Sequence, residues 1–260
     1  SISTLHARKL RPKADFIVID EVHQAGCDSY KQLCLEYPDA FFLGVTATPY
    51  QQNSIEHCCT SVVAPLTYKD LVALGFLVRP RVFAPPNKTV DVSSLRMTGD
   101  DFNQKQAFGL MDKTKIYQDV VSAYQEFGRD KPCICYAVNI AHDNMLAQEF
   151  RASGIRAACI DQTTPDELRQ LYIQQSKDGE IRVLVNCMVL TTGVDLPWIE
   201  TISIARPTAS LCLHIQMNGR GSRPFPGKDY FTIIDHVGNT KRLGFIDEYH
   251  PANLSGQGKQ

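Results

Sequence analysis

The sequence predicts an α/β fold built on parallel β-sheets, because apolar runs typical of buried strands alternate with helix-like segments along almost the whole chain. These runs are continuously apolar rather than alternating, as expected when helices cover both faces of a parallel sheet. Strands and helices in alternation are typical of βαβ units. The expected strands are Phe16–Asp20, Phe41–Val45, Arg81–Ala84, Cys133–Val138, Arg156–Ile160, Ile181–Asn186, Thr201–Ala205 and Tyr230–Asp235.

The helices between these strands have readable ends. Asn139 is expected to cap a helix that ends at Gly154. Thr164–Glu167 predicts an N-cap, a proline at the first helical position and a capping-box glutamate, with Gly179 closing that helix. A core-facing apolar stripe precedes Gly128 and consists of Ile116, Val120, Tyr124 and Phe127.

The elements divide into an incomplete set and a complete one. Residues 1–80 hold only two convincing strands, so we expect a truncated first domain there, with a helix over Leu66–Leu74 before Gly75. We expect the boundary near Arg79 and Pro80, a complete second domain over residues 81–248, and a loose polar tail over residues 249–260. The chain begins with Ser1 and its first methionine is Met97, so we expect it to be a piece of a longer polypeptide.

Composition excludes some classes of protein. The net charge of −1 gives no global basic field for nucleic acid, although a groove can also bind phosphates through backbone amides and hydroxyls. No apolar run is long enough to span a bilayer and no signal-peptide pattern opens the chain, so we expect no membrane partner and a cytoplasmic location.

The nine cysteines do not form a recognisable framework. Cys133, Cys135 and Cys187 fall within apolar runs, where thiols behave as small hydrophobic groups. His57-Cys58-Cys59 offers metal-ligating side chains, but no C-x-x-C pair is present to complete a zinc site. We therefore expect reduced cysteines in a cytosolic protein.

Asp20-Glu21-Val22-His23, which directly follows the apolar run Phe16–Ile19, is the most informative stretch. Ligands of open α/β sheets bind outside the carboxyl ends of the strands. Two adjacent carboxylates at that edge suit a site that holds Mg²⁺ and orients a water to attack a phosphate. The alternative is that Asp20 and Glu21 are ordinary helix caps.

Two further motifs also follow strands. The hydroxyls of Thr46-Ala47-Thr48-Pro49 are expected to hydrogen-bond His23, the alternative being a simple turn. In the segment Thr191–Pro197, Gly193 would allow close approach to a ligand and Asp195 would accept from a ribose hydroxyl. Trp198 is expected to be a packing residue.

The last motif, Gln216–Arg223, contains two arginines three residues apart, with Gly219 before the first. This spacing places both guanidinium groups on the same side of a helical turn. Arginine suits a phosphoryl group that gains charge in a transition state. The alternative is a surface arginine pair without a special role.

In this order and spacing, the four motifs resemble the superfamily-two helicases and translocases of the DEAD/DEAH-box type. The matched segments are motif II at Asp20–His23, motif III at Thr46–Thr48, motif V at Thr191–Pro197, and motif VI (Q-x-x-G-R-x-x-R) at Gln216–Arg223. Cys133–His142 is similar to motif IV, and Ser1–Leu5 to the segment before motif II. Gly99–Phe102 and Leu190–Gly193 are most similar to the RadD-like group of bacteria and phages.

The resemblance implies two RecA-like domains with ATP and Mg²⁺ bound in the cleft between them. It assigns Asp20 and Glu21 to the metal, and Glu21 also to the hydrolytic water. It assigns His23, Thr46 and Thr48 to coupling between the domains, with both threonines close to the cofactor.

The resemblance also assigns roles in the second half of the chain. The residues facing the γ-phosphate would be Gln216, Arg220 and Arg223, with Arg223 as the arginine finger. Gly193 and Asp195 would lie near the ribose. Candidates for contact with the nucleic-acid backbone are Thr191, Thr163, Ser3 and Thr4.

The sequence departs from the family in one respect: it contains no phosphate-binding loop of the form G-x-x-x-x-G-K-[ST]. We therefore expect this chain alone not to hydrolyse ATP appreciably. The resemblance to the RadD-like group implies that the parent protein is an ATP-driven motor on DNA rather than RNA. Two alternatives stay open. One is a non-catalytic nucleic-acid-binding or regulatory module derived from such a motor, and the other is the motor subunit of a restriction or recombination complex.

Overall fold

The computed structural model describes residues 2–50, 54–64, 66–84, 90–114, 116–191, 194–252 and 254–255. The chain forms two compact units. The first unit comprises residues 1–66 and 249–260, and the second unit comprises residues 67–248. Within the described ranges, every helix is too short or too polar to cross a membrane.

The first unit is built around two parallel strands. Its elements are α1 (Ile2–Ala7), β1 (Phe16–Asp20), a 3₁₀ turn (Val22–Gln24), α2 (Asp28–Glu36) and β2 (Phe41–Val45). The register places Asp20 opposite Val45, so both strands end at the same edge. The buried core of its described residues is small and consists of Ile19, Val22, Ala25 and Ile55.

The two faces of this strand pair differ in exposure. Alternate residues of β1 and β2 point to opposite faces. One face packs on the small core, and the other exposes five apolar side chains: Phe16, Val18, Phe41, Leu43 and Val45. The rings of Phe16 and Phe41 stack across the strands with centroids 5.5 Å apart.

The second unit contains a six-stranded sheet in the order β3-β10-β9-β6-β8-β7, in which every neighbouring pair is parallel. The strands are β3 (Arg79–Phe83), β6 (Cys133–Tyr136), β7 (Ala157–Ile160), β8 (Val183–Asn186), β9 (Thr201–Ile204) and β10 (Tyr230–Asp235). A short antiparallel hairpin joins β4 (Met97–Thr98) to β5 (Asp101–Phe102). The helices are α3 (Tyr68–Ala73), α4 (Gln104–Thr114), α5 (Tyr117–Ala123) with a π turn (Tyr124–Gly128), α6 (Ile140–Ala152), α7 (Asp166–Lys177), α8 (Leu211–Gly219) and α9 (Asn239–Leu243).

The continuously apolar strands form the centre of the second unit. β6, β8 and β9 are buried at every position. The prediction of an α/β fold with a parallel sheet is therefore confirmed, and each of the eight predicted strands is present within three residues of its expected ends. The stripe before Gly128 also lies in the core, with Val120 and Tyr124 fully buried.

Most of the predicted helix ends are present, but one cap differs. Asn139 caps α6, since its side chain accepts from the backbone N–H of His142 at 2.9 Å. Thr164 does not cap α7, because its hydroxyl accepts instead from the N–H of Asp161 at 3.0 Å. Pro165 takes the N-cap position without a side-chain hydrogen bond.

The boundary between the units differs from the expected position. The second unit begins at Thr67, and Arg79 and Pro80 lie inside its strand β3. The preceding Val78 also belongs to this unit, since it is buried and its N–H donates to the carbonyl of Ser222 at 2.8 Å. The segment after Tyr249 was expected to be loose. Among its described residues, Leu254 accepts through its carbonyl from the N–H of Ile55 at 2.9 Å, within the first unit.

Candidate functional site

The carboxylates of Asp20 and Glu21 lie at the carboxyl end of β1, where the sequence predicted a phosphate-directed site. The N–H of Glu21 donates to Oδ1 of Asp20 at 2.9 Å, which fixes the Asp20 side chain at the strand end. Glu21 has a left-handed backbone conformation with φ of 52°. A non-glycine residue in this region costs about 1–3 kcal/mol and is frequent at functional sites. This turn directs both carboxylates toward solvent.

His23 joins this carboxylate pair to the end of β2. Its Nδ1 lies 2.9 Å from Oγ1 of Thr46, 3.3 Å from Oε2 of Glu21 and 3.4 Å from Oγ1 of Thr48. The N–H of Thr48 donates to Oγ1 of Thr46 at 3.0 Å. The structure therefore brings together four of the predicted residues: Glu21, His23, Thr46 and Thr48.

The ring of His23 is largely buried, and this affects its charge. Burial lowers the pKa of His23 below its usual value, and the neighbouring Glu21 opposes that shift. A neutral imidazole can both donate and accept, which suits a relay between a carboxylate and two hydroxyls. Because the folded pKa is depressed, this arrangement is stable at and above neutral pH and weakens as the pH falls below the ordinary histidine range.

Gly44 allows β2 to lie directly against the turn that carries the carboxylates. A Cβ at this position would meet Cγ2 of Val22 at 2.7 Å. Val22, which stands between Glu21 and His23 in the sequence, is buried. The packing of one small residue thus sets how closely the Asp20–His23 turn approaches the strand that leads to Thr46.

In the second unit, the segment around Thr191 follows β8 and is shaped by Asn186. The buried side-chain Oδ1 of Asn186 accepts from the N–H groups of Val189 and Leu190, both at 2.8 Å. Met188 has a φ of 64° within this turn. Thr191 is buried and its hydroxyl donates to the carbonyl of Met188 at 2.9 Å. In this conformation, the Thr191 hydroxyl donates its hydrogen bond within the turn and not to a ligand.

Arg220 fastens this segment to the end of α8. Its Nε donates to the carbonyl of Thr191 at 3.0 Å, and its Nη1 donates to the carbonyl of Val194. A guanidinium shared between two carbonyls fixes the distance between the two motifs. Arg220 therefore ties the backbone carbonyls of Thr191 and Val194 to the end of α8.

Arg223 has a different environment. Its Nη1 lies 2.6 Å from Oδ1 of Asp195, with 46% of the Arg223 side chain and 65% of the Asp195 side chain exposed. An exposed ion pair of this kind contributes about 0–1 kcal/mol. A phosphate could thus replace Asp195 as the partner of Arg223 at little cost.

The remaining predicted residues are placed as follows. Thr163 lies in the turn after β7, where its N–H and hydroxyl donate to Oδ1 of Asp161 at 2.7 and 2.6 Å. Gln216 lies in α8, and Ser3 and the exposed Thr4 lie in α1. Gly193 and the side chain of Ser3 lie outside the described part of the structure. The roles of these residues stay predictions.

A polar network behind α8 was not predicted as part of the site. Asp101 accepts from the Oγ1 of Thr208 at 2.9 Å, from the N–H of Ala209 at 2.8 Å, and from Nη2 of Arg206 at 2.9 Å. Arg206 is buried, so its charge depends on this partner. The network fixes the chain just before Ser210, which caps α8 by accepting from the N–H of Leu213. It thereby positions the helix that carries Gln216 and leads to Arg220.

Comparisons with known proteins match both units. Residues 2–51 match the family model described as type III restriction enzyme, res subunit, and residues 113–224 match the helicase conserved C-terminal domain. A 51.5 kDa protein of a Lactococcus phage is 28% identical over 240 residues, covering 92% of this chain and 52% of the relative. The putative ATP-dependent helicase IRC3 of Saccharomyces cerevisiae is 28% identical over 237 residues, covering 86% of this chain and 34% of the relative. The chain thus spans about half, or less, of the length of these relatives.

Two solved structures share the fold. The ATP-dependent type ISP restriction-modification enzyme LlaBIII bound to DNA matches with a TM-score of 0.57 and 17% identity, covering 88% of this chain and 18% of that one. S. cerevisiae Dbp5 bound to RNA and ADP BeF3 matches with a TM-score of 0.52 and 16% identity, covering 92% of this chain and 58% of that one. The parallel sheet therefore has the RecA-like architecture that the sequence predicted.

Proposed function

We propose that this chain is a superfamily-two helicase-like protein, which its matches to the two family models support, and that it belongs to an ATP-dependent motor that hydrolyses ATP and moves along nucleic acid. The observation that carries this proposal is the hydrogen-bonded group at the ends of β1 and β2, where His23 lies between Glu21 and Thr46. A packing role alone does not require an exposed carboxylate pair linked through a buried imidazole to a second strand.

The carboxylates fit the chemistry of a magnesium-dependent phosphoryl transfer. Carboxylate oxygens are ligands that Mg²⁺ prefers, and Asp20 is exposed at the edge where ligands of such sheets bind. We assign the metal to Asp20, with Glu21 beside it, and the bound ion would neutralise charge on the phosphate oxygens. Glu21 orients the attacking water and holds it close to the phosphorus.

The two arginines have separate tasks in this proposal. Arg220 is a positioning residue, since its guanidinium is hydrogen-bonded to the backbone carbonyls of Thr191 and Val194. Arg223 supplies the cation for the phosphoryl group, because its exposed pair with Asp195 can be exchanged for a phosphate. Release of Asp195 then frees that carboxylate to accept from a ribose hydroxyl.

The 260 residues contain no G-x-x-x-x-G-K-[ST] loop, the element that supplies backbone amides and a lysine to ATP phosphates in this superfamily. We propose that the chain alone does not hydrolyse ATP appreciably and that its complete natural polypeptide does. We further propose that the motor acts on DNA in the cytoplasm. Support for DNA comes from the RadD-like character of Gly99–Phe102 and from the DNA-bound LlaBIII neighbour.

The test is ATP hydrolysis by the complete natural polypeptide, measured with and without single-stranded DNA, forked DNA and RNA. We expect stimulation by DNA, and a loss of kcat of about 10³-fold or more in Arg223→Ala, as for other arginine fingers. Glu21→Gln should lower kcat while retaining ATP binding. Thr46→Val should reduce the stimulation by DNA more than the basal rate, since it removes the hydroxyl between His23 and Glu21.

A matched control is Arg182→Ala. Arg182 also forms a surface ion pair with an aspartate, Asp130, at 3.5 Å, but it lies before β8, at the amino end of the strand. Its removal should leave kcat unchanged. If Arg223→Ala and Arg182→Ala behave alike while DNA binding persists, the chain is a non-catalytic nucleic-acid-binding module and the proposal is wrong.

A further inference from the structure

Three side chains of the first unit form a cluster of metal-ligand type away from the carboxylates. Cys34 lies on α2, and His57 and Cys58 lie in the turn that follows Ile55. Their ligand atoms all lie within 4.8 Å of one another. The thiols of Cys34 and Cys59 are neighbours of the Cys58 thiol. Two thiols and one imidazole therefore converge at one place, and Cys59 is the next residue along the chain after Cys58.

The backbone fixes the part of the cluster that follows Ile55. The N–H groups of Cys58 and Cys59 both donate to the carbonyl of Ile55 at 3.0 Å. Ile55 is itself buried in the small core, and its N–H donates to the carbonyl of Leu254. The turn thus presents adjacent side chains to α2 from a fixed position, which is the preorganisation that a metal site needs.

The cluster is poorly satisfied as a set of neutral groups. Within the described part of the chain, the buried Nε2 of His57 has no hydrogen-bond partner. A buried nitrogen without a partner costs about 1–3 kcal/mol.

We propose that Cys34, His57, Cys58 and Cys59 bind one Zn²⁺ ion in a tetrahedral structural site. Thiolate and imidazole ligands favour zinc over the oxygen-seeking cations. Zinc–sulfur bonds of about 2.3 Å place tetrahedral ligands about 3.8 Å apart. The ligand atoms of Cys34, His57 and Cys58, which lie within 4.8 Å of one another, therefore need to close by at most about 1 Å. Binding releases the three thiol protons and leaves three thiolates and a neutral imidazole on the ion.

The position of the site gives the ion a physical role. Cys58 and Cys59 pack against the small core that contains Val22, and the Cys59 thiol lies beside the backbone of Gly44. Zinc would therefore tie α2, the turn after Ile55 and β2 together behind the Asp20–His23 turn. A small apolar core is the situation in which a structural metal contributes most to folding.

The experiment uses the full chain purified under reducing conditions. Metal content is measured directly, and the apoprotein is titrated with Co²⁺, whose absorption reports tetrahedral thiolate ligation without any substitution. We expect one zinc per chain and a thiolate-to-cobalt charge-transfer band that Zn²⁺ abolishes. Titration of the thiols with a mercurial reagent should release the zinc in step with loss of the cluster, again in the unsubstituted protein.

Matched variants assign the ligands. Cys58→Ser should abolish stoichiometric zinc, and Cys59→Ser should weaken binding and lower the charge-transfer intensity. Cys27→Ser makes the same chemical change in the same unit, at an exposed thiol next to Ser29 and outside the cluster, and should leave both unchanged. A wild-type chain without the cobalt band, a Cys34–Cys58 disulfide in its place, or equal loss in Cys27→Ser would overturn the proposal. None of these outcomes depends on ATP hydrolysis.

Discussion

The two units differ in how much apolar surface their strands bury. In the second unit, β6, β8 and β9 are buried at every position, and the core is continuous across the sheet. In the first unit, β1 and β2 bury one face only, and five apolar side chains remain exposed on the other. Apolar burial contributes about 25 cal/mol per Å². The second unit therefore stabilises its own motifs, whereas the first relies on hydrogen bonds, on close packing at Gly44 and, as we propose, on a metal.

The largest expected effect is in the second unit, at the network behind α8. Asp101→Ala leaves the buried guanidinium of Arg206 without its carboxylate and removes the acceptor of Thr208 and Ala209. Loss of one partner from a buried pair costs about 3–5 kcal/mol. Denaturant unfolding measures this loss. Asp229→Ala, at an exposed position of the same unit, should cost almost nothing.

A second test compares two glycines that flank Arg220. A Cβ on Gly221 would lie 2.2 Å from Cδ2 of the Phe231 ring, whereas a Cβ on Gly219 would meet no atom within 4 Å. Gly221→Ala should therefore lower the free energy of unfolding by about 1–3 kcal/mol, as overpacking does in dense cores. Gly219→Ala should be neutral. Equal effects of the two substitutions would show that the second unit is not packed as tightly as described.

The third test uses pH. Asp143 on α6 is fully buried, and its carboxylate oxygens have no hydrogen-bond partner among the described residues. Burial, together with the neighbouring Asp161, raises its pKa to about 8. Between the ordinary aspartate pKa and about 8, the folded state holds a proton that the unfolded state has lost, so stability falls as the pH rises through this range.

Asp143→Asn removes that titration. We expect the variant to match the wild type near pH 4 and to become progressively more stable than the wild type as the pH rises toward about 8, because the wild type alone must lose a buried proton over this range. Unfolding is followed over the pH series for both proteins. If the free energy of unfolding depended on pH in the same way in both proteins, the raised pKa of Asp143 would be contradicted. Asp229→Asn is the control at an exposed position.

The smallest expected effect is in the first unit. Gly44→Ala places a methyl group 2.7 Å from Cγ2 of Val22, but the small core around Val22 can yield. The expected cost is about 1 kcal/mol, the lower end for overpacking. The local effect should be larger: the His23 imidazole resonance should shift as its distance to Thr46 changes. Gly109→Ala, where a Cβ meets no atom within 4 Å, should leave that resonance unchanged.

The sequence predicted those features that depend on neighbouring residues or on strand ends. Apolar runs located the strands because parallel strands are buried on both faces. The proximity of Glu21, His23 and Thr46 followed from β1 and β2 ending at one edge of a parallel pair. Asn139 was recognised as a cap because its partner is three residues away.

Features formed by distant residues were not predicted. Asp101 and Arg206 are 105 positions apart, and no local pattern marks either as a partner of the other. Cys34 lies on a different element from His57 and Cys58, and the fold brings their ligand atoms within 4.8 Å of one another. A search for C-x-x-C pairs cannot detect such a cluster, because that pattern finds only ligands that are close together in the sequence. The prediction that Thr164 caps α7 was wrong because its hydroxyl accepts a hydrogen bond from the N–H of Asp161 instead.

The parallel arrangement of the six strands separates two edges of the second unit. The turns that carry Asn139, Thr163 and Thr191 all follow strand ends on the carboxyl side. The turns at Gly154 and Gly179 precede strands on the amino side, and Gly154 has no atom within 4 Å of an added Cβ. A fluorophore or an affinity tag inserted at Gly154 would therefore report on this unit without touching the turns at the carboxyl edge of the sheet.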